Sequence, residues 1–281
     1  MHNIAATARV AFQGEPAAFS QIAARKLLGE QVQTVACPTF ESLFDSIAEG
    51  RADLILAPLE NTLAGPVLRC YDLLYQSAHT MIGEVVLRIG HCVIGCPGSS
   101  LDGIRRIQSH PVALAQCERF FAAHPFISKS VAEDTAGSVR QIMELNDPSV
   151  AAIASEYAAR EYGAQILVSA VEDDPNNFTR FALLEPSHSV TEAIPDADAT
   201  TLVLTVTNQA GALFHALEPF ALNSIDLMSL VSRPLVGTPW HYRFFFEVAA
   251  AASDPRMVKA LAELKPCTVE LRVLGSYHSG K

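Results

Sequence analysis

The chain has 281 residues, of which 49% are hydrophobic and 18% charged, and a formal net charge of −10. The length suits two domains, or one large one with ample core, and the acidic balance argues against a nucleic-acid or anionic-membrane partner. Its six cysteines form no Cys-x-x-Cys pair, so no zinc site is expected, and no unbroken apolar run or charged leader breaks the expectation of a soluble cytoplasmic protein.

Strands are expected at 8–12, 32–37 and 53–58, with helices at 17–28 and 40–49, the second stopped by Gly50. The run 53–58 is continuously apolar, as in a parallel sheet covered on both faces. The same grammar then returns. A strand-like run at 85–96 ends at Pro97-Gly98, and is followed by strand 104–108, helix 112–123, strand 128–131, helix 135–146, strand 150–155 and helix 156–162. The chain comes back through strands 166–170 and 179–184. Strands alternating with helices indicate an α/β fold. Residues 185–200 hold Pro186, Pro195, two serines and four acids without a periodic apolar face, and read as a linker. Beyond it, strand 201–207, helix 211–221, strands 225–233 and 240–248, helix 255–264 and strand 269–274 give the split ferredoxin-like order βαββαβ.

Five polar segments interrupt the apolar grammar near strand ends, where open α/β sheets place ligands. Gln13-Gly14-Glu15-Pro16 leads through Ser20 into a helix, and either offers backbone N–H groups to an anion or is a plain cap. Glu60-Asn61-Thr62 follows a buried strand and faces a cleft or forms a surface turn. Ser109-His110-Pro111 runs on to Gln116; Ser109 is placed to cap a helix, and His110 reads equally as structural or catalytic. Asp134-Thr135-Ala136-Gly137 opens another helix with small residues. Asn177-Phe178-Thr179-Arg180-Phe181 sets a hydroxyl beside a guanidinium between aromatic rings. That suits a small anion, and the bland alternative is Arg180 paired with Asp173 or Asp174. Five such segments in two α/β halves suggest a cleft between lobes.

In this order, together with Tyr71-Asp72-Leu73-Leu74, 151–155 and Tyr162-Gly163, these blocks resemble the prephenate dehydratase family, which includes the arogenate dehydratases. The resemblance implies a catalytic domain at 1–185 with the two-lobed fold of periplasmic solute-binding proteins. Its lobes would be about 1–85 with 165–185, and 86–164. A linker at 186–199 and an ACT-type regulatory domain at 200–277 would follow. Gly211-Ala212-Leu213-Phe214 is similar to the family's first phenylalanine-binding motif except at Phe214, and Val231-Ser232-Arg233-Pro234 to the second except at Val231. Val112 also departs from the family's usual glutamine.

The implied reaction converts prephenate to phenylpyruvate, carbon dioxide and water. Aromatisation drives it, so no redox cofactor and no metal are expected. Thr179 resembles the family's essential threonine and would donate a hydrogen bond to the leaving oxygen. Arg180 would clamp a carboxylate through its planar fork, and Glu60 is the candidate proton donor. Asn61, Thr62, Ser109, Gln116, Thr135, Asn177 and Phe181 would contact substrate, with Phe178 or Phe181 at an apolar end around the departing carboxylate. Gly211, Ala212, Leu213, Ser232, Arg233 and Pro234 would hold L-phenylalanine as an allosteric effector. A homodimer or homotetramer is expected. Rival readings are an arogenate dehydratase, a non-catalytic sensor of an aromatic amino acid, and a secreted solute-binding protein.

Overall fold

The computed structural model describes residues 7–187 and 194–280. The chain begins with β1 (Arg9–Gln13), α1 (Phe19–Leu28), β2 (Gln33–Cys37), α2 (Phe40–Asp45) and β3 (Leu54–Asn61). β4 (Gly65–Pro66), α3 (Leu68–Gln76) and β5 (His79–Arg88) complete the first lobe's outgoing run. β1 lies between β2 and β3 in parallel pairing, as its uninterrupted Val-Ala-Phe core requires. α3 falls where the periodicity marked no element.

The second lobe holds β6 (Cys92–Gly95), β7 (Arg106–Ser109), α4 (Pro111–Ala115), α5 (Glu118–Ala123) and β8 (Ser128–Val131). It continues through α6 (Thr135–Leu145), β9 (Val150–Ala154), α7 (Glu156–Glu161) and β10 (Gln165–Val168). Its sheet runs β10-β6-β9-β7-β8. The expected run 85–96 is therefore two strands, β5 and β6, and the chain changes sheets between them. The expected first lobe includes 165–185, whereas β10 pairs with β6, Ile166 opposite Ile94. The expected helix 112–123 is two helices. Asp173 accepts the amides of Glu118 (2.8 Å) and Arg119 (2.9 Å), capping α5 afresh and ending the ladder at Gln116. Asp173 is thus a helix cap.

β11 (Phe178–Pro186) returns to the first sheet, antiparallel between β3 and β5. β12 (Ala199–Thr205), α8 (Ala212–Leu222), β13 (Leu227–Pro234), β14 (Tyr242–Val248), α9 (Pro255–Leu264) and β15 (Glu270–Tyr277) then form the βαββαβ unit, with strand order β13-β14-β12-β15. Of the expected linker, 188–193 lies outside the described residues, and Ile194 is already buried.

This C-terminal sheet continues that of the first lobe. β15 pairs in parallel with β5 at Gly275 opposite Met81. A Cβ on Gly275 would stand 2.1 Å from the Met81 carbonyl oxygen, so the seam needs a glycine. Val203, Val231, Phe245 and Tyr277 share one core with Ile55, Leu74 and Phe181. Each such fully buried side chain contributes about 2 kcal/mol of transfer free energy. On the far face, α8 and α9 bury Phe220, Met257 and Leu264 against Leu202 and Phe246. Among the described residues no helix is long and apolar enough to cross a membrane.

Candidate active site

A cavity of about 430 Å3 opens between the lobes. Pro58, Asn61, Thr179 and Phe181 enter it from β3 and β11, and Ala18, Phe19 and Ser20 from the start of α1. His110, Val112 and Gln116 flank it from around α4, Glu133 to Thr135 from the entry to α6, and His91 from a crossing segment. Thr179 and Phe181 share a face because strand side chains alternate. Pro58 and Asn61 share one for a different reason. The register of β3 against β11 slips, with Glu60 opposite Arg180 but Pro58 opposite Phe181. The extra residue, Leu59, forms a bulge that turns Asn61 back toward the cleft.

Hydrogen bonds fix the direction of the Thr179 proton. The backbone amides of Leu63 (3.0 Å) and Ala64 (2.8 Å) donate to Asn61 Oδ1. An amide N–H can only donate, so the orientation of the Asn61 side chain is set. Its Nδ2 donates to Thr179 Oγ1 (2.9 Å) and Asn177 Oδ1 (2.7 Å). Thr179 is thereby an acceptor toward Asn61. Its own O–H, without an acceptor among the described residues, is available to a ligand in the cavity.

The chain of bonds runs on. Asn177 Nδ2 donates to Gln116 Oε1 (2.9 Å), which lies 3.1 Å from His91 Nε2. Gln116 Oε1 is an acceptor there, so His91 carries its proton on Nε2. The ring is only 2% exposed, and burial pushes its pKa below the ordinary 6.5, keeping it neutral. His91 is absent from the sequence-based candidates. Its signal is a lone polar side chain between the apolar runs that became β5 and β6. His110 accepts the Val112 amide on Nδ1 (3.2 Å) and so carries its proton on Nε2. Burial lowers its pKa, and the Asp134 carboxylate opposes that shift.

Of the sequence candidates, Asn61, Gln116, Thr135, Thr179 and Phe181 line the cavity, and Asn177 lies buried directly behind, bonded to two of them. Phe181 is joined there by Phe19 and Phe40, whereas Phe178 is not among the lining residues.

Arg180 and Glu60 require correction. Arg180 lies on the face of β11 opposite Thr179 and is 5% exposed. Its Nη1 donates to Glu84 Oε2 (2.9 Å) and to Glu247 of β14, and its Nη2 lies 3.3 Å from the Tyr71 hydroxyl. Neither Asp173 nor the cavity is its partner. Glu60 points the same way, 3.4 Å from Arg180 Nη2, with a side chain 38% exposed. The buried seat that a neutral acid needs is missing there. Ser109 is also displaced: its Oγ donates to the Ile153 carbonyl (2.6 Å), and His110 takes the capping position of α4. Thr62 donates to the Asn176 carbonyl (2.9 Å) and accepts the Phe178 amide (2.9 Å), tying a loop to the returning segment.

In the C-terminal unit Gly211 is the left-handed N-cap of α8 (φ 84°), with Ala212 and Leu213 packed against that unit's core. Phe214 is 64% exposed, while Val231 is buried in the core shared with the first lobe. Ser232 and Pro234 lie exposed on β13. The Arg233 fork is occupied by Asp72 of α3, at 2.8 and 2.6 Å.

The family model described as prephenate dehydratase matches residues 10–189. The bifunctional chorismate mutase/prephenate dehydratase of Escherichia coli K12 is 33% identical over 277 residues, 97% of this chain and 71% of that protein. The chloroplastic arogenate dehydratase/prephenate dehydratase 2 of Arabidopsis thaliana is 36% identical over 283 residues, 96% and 72% of the two chains. Among solved structures, a prephenate dehydratase from Arthrobacter aurescens in complex with L-Phe has a TM-score of 0.87 at 29% identity, covering 97% of this chain and 90% of its own. GqqA, described as a novel type of quorum-quenching acylase, has a TM-score of 0.88 at 34% identity, covering 96% and 98%. A matched model over more than half the chain, and relatives aligned over nearly all of it, establish that the protein belongs to the prephenate dehydratase family.

Proposed function

We propose that this protein is a prephenate dehydratase that releases phenylpyruvate, carbon dioxide and water and supplies L-phenylalanine synthesis. The observation that carries the reading is the Thr179 hydroxyl, preset as a donor toward the cavity by Asn61. In the reaction the ring C–O bond breaks with both electrons going to oxygen. The electron pair of the bond to the departing carboxylate moves into the ring, which becomes aromatic as carbon dioxide leaves. The hydroxide takes up a proton and becomes water. Thr179 donates a hydrogen bond to the oxygen as its charge grows. It need not give up its proton. Phe19, Phe40 and Phe181 supply an apolar wall for the ring. Removing one preorganised donor of this kind costs about 3 kcal/mol of barrier. Thr179→Val is therefore expected to melt like the parent and to lose at least about a hundredfold in turnover, measured as phenylpyruvate release. Turnover near the parent value would remove Thr179 from the mechanism.

Glu133 and Asp134 on the cavity wall favour a second reading, arogenate dehydratase. Arogenate carries an ammonium where prephenate has a keto group, and carboxylates attract it. Comparing kcat/KM on the two purified substrates separates the readings.

The effector reading extends to the C-terminal unit. The Arthrobacter relative is in complex with L-Phe, which supports phenylalanine as an effector; our reading places it at 211–213 and 232–234, in a cytoplasmic homodimer or homotetramer. Phe214 and Val231 alter that site, and Arg233 is engaged by Asp72. Rates measured with and without phenylalanine test it.

A further inference from the structure

We propose that the N-terminus of α1, with the Ser20 hydroxyl, is the subsite for the carboxylate of the substrate's three-carbon side chain. This rests on the dehydratase reading and adds a binding residue to it. Among the described residues no lysine or arginine lines the cavity. A dianionic substrate must then be held by neutral donors and by helix dipoles. Five helices begin at the cavity wall: α2 and α4 are capped by Thr39 and His110, α3 has no side-chain cap but brings no hydroxyl to the cavity, and α1 and α6 remain. α6 is capped by Asp134, whose Oδ1 accepts the Gly137 amide (2.6 Å), and Glu133 lies beside it. Carboxylates already occupy that end and repel a further anion.

α1 is the opposite case. Its N-cap is Ala18, which offers no side-chain acceptor, and its first turn holds no acid. The Phe19 and Ser20 amides have no hydrogen-bond acceptor among the described residues, as the first N–H groups of an uncapped helix must lack one. Ser20 supplies the independent observation. It lines the cavity, is 8% exposed, and its hydroxyl has no hydrogen-bond partner among the described residues. Two amides and a hydroxyl at the positive end of a ten-residue helix match the acceptors of one carboxylate. The same end serves a keto acid or an amino acid, since both carry that group.

The test uses the full chain and steady-state turnover of prephenate. Ser20→Ala removes one charge-assisted bond and is expected to raise KM about tenfold with kcat within about twofold. Ser20→Asp sets a carboxylate against the substrate's own and is expected to lower kcat/KM at least about a hundredfold. Melting temperatures report folding. If Ser20→Asp does not fold, the KM of Ser20→Ala decides alone, and an unchanged KM overturns the subsite. If the parent protein releases no phenylpyruvate, the dehydratase reading has failed instead. The subsite is then read by calorimetric titration of 3-phenylpropanoate into the parent protein and Ser20→Ala. Binding weakened in Ser20→Ala supports the subsite. Equal binding, or none to the parent, overturns it.

Discussion

Asn61 determines what Thr179 can do. Both donors of its amide group point toward the strand that carries Thr179, because the Leu63 and Ala64 amides hold its oxygen. Asn61→Asp keeps the shape and those two bonds but removes the donor. The carboxylate then accepts from Thr179, and the threonine proton turns away from the cavity. Turnover is expected to fall about a hundredfold with the melting temperature held within a few degrees, checked by single-turnover kinetics beside calorimetry. A fall in melting temperature that tracks the loss of turnover would assign Asn61 a purely structural part. At this scale the sequence was readable where polar residues follow buried strands, as at Asn61, or open a helix, as at Thr135. His91 escaped because one polar side chain in an apolar run looks like a core histidine. Gln116 and Asn177 were named as substrate contacts, but their bonds to each other bridge 61 positions of chain and no local pattern reveals them.

β11 carries two adjacent residues with unrelated tasks. Thr179 faces the cleft and Arg180 faces the joint with the C-terminal unit. Sequence adjacency suggested a shared site, whereas the two-residue period of a strand separates them. Reading 179–184 by alternation would have grouped Thr179 with Phe181 and left Arg180 apart. The Arg180 guanidinium is a single positive charge shared by Glu84 and Glu247, whose side chains are 0% and 4% exposed, and burial pushes the Glu84 pKa up. Arg180→Met removes the guanidinium bond from both buried carboxylates. The expected cost is about 3–5 kcal/mol, read from urea unfolding. Adding Glu84→Gln and Glu247→Gln is expected to recover much of that loss, since the penalty comes from uncompensated charge. Recovery of stability together with KM near the parent value would confirm that Arg180 acts outside the substrate site. The break between α4 and α5 was equally hidden, because Asp173 caps α5 from 55 residues away.

At the scale of the whole molecule, the composition of 185–200 reads as a linker between domains. The two units instead share a sheet and a core, and the sequence mark of that union is one glycine near the end of β15. Backbones that approach as closely as Gly275 and Met81 leave no room for a side chain. Gly275→Ala would bring its Cβ within 2.1 Å of the Met81 oxygen, so one strand must move off the other. The expected loss is about 1–3 kcal/mol, the usual cost of overpacking a well-filled site. Gly83→Ala, on the neighbouring β5, is the control: its Cβ would meet Leu183 at 3.7 Å, an ordinary contact. That variant is expected to unfold like the parent. The shape of the transition carries further information. A joined sheet predicts a single cooperative melt for the parent chain, and a forced seam predicts that the βαββαβ unit melts ahead of the lobes as a separate calorimetric peak. Two peaks already present in the parent, unchanged by Gly275→Ala, would mean that the seam transmits no stability between the units. Since the Arg180–Glu247 bond crosses the same joint, a phenylalanine response that survives an opened seam would travel through the remaining contacts across it, among them Asp72–Arg233, Tyr75–Glu270 and Arg272–Tyr75.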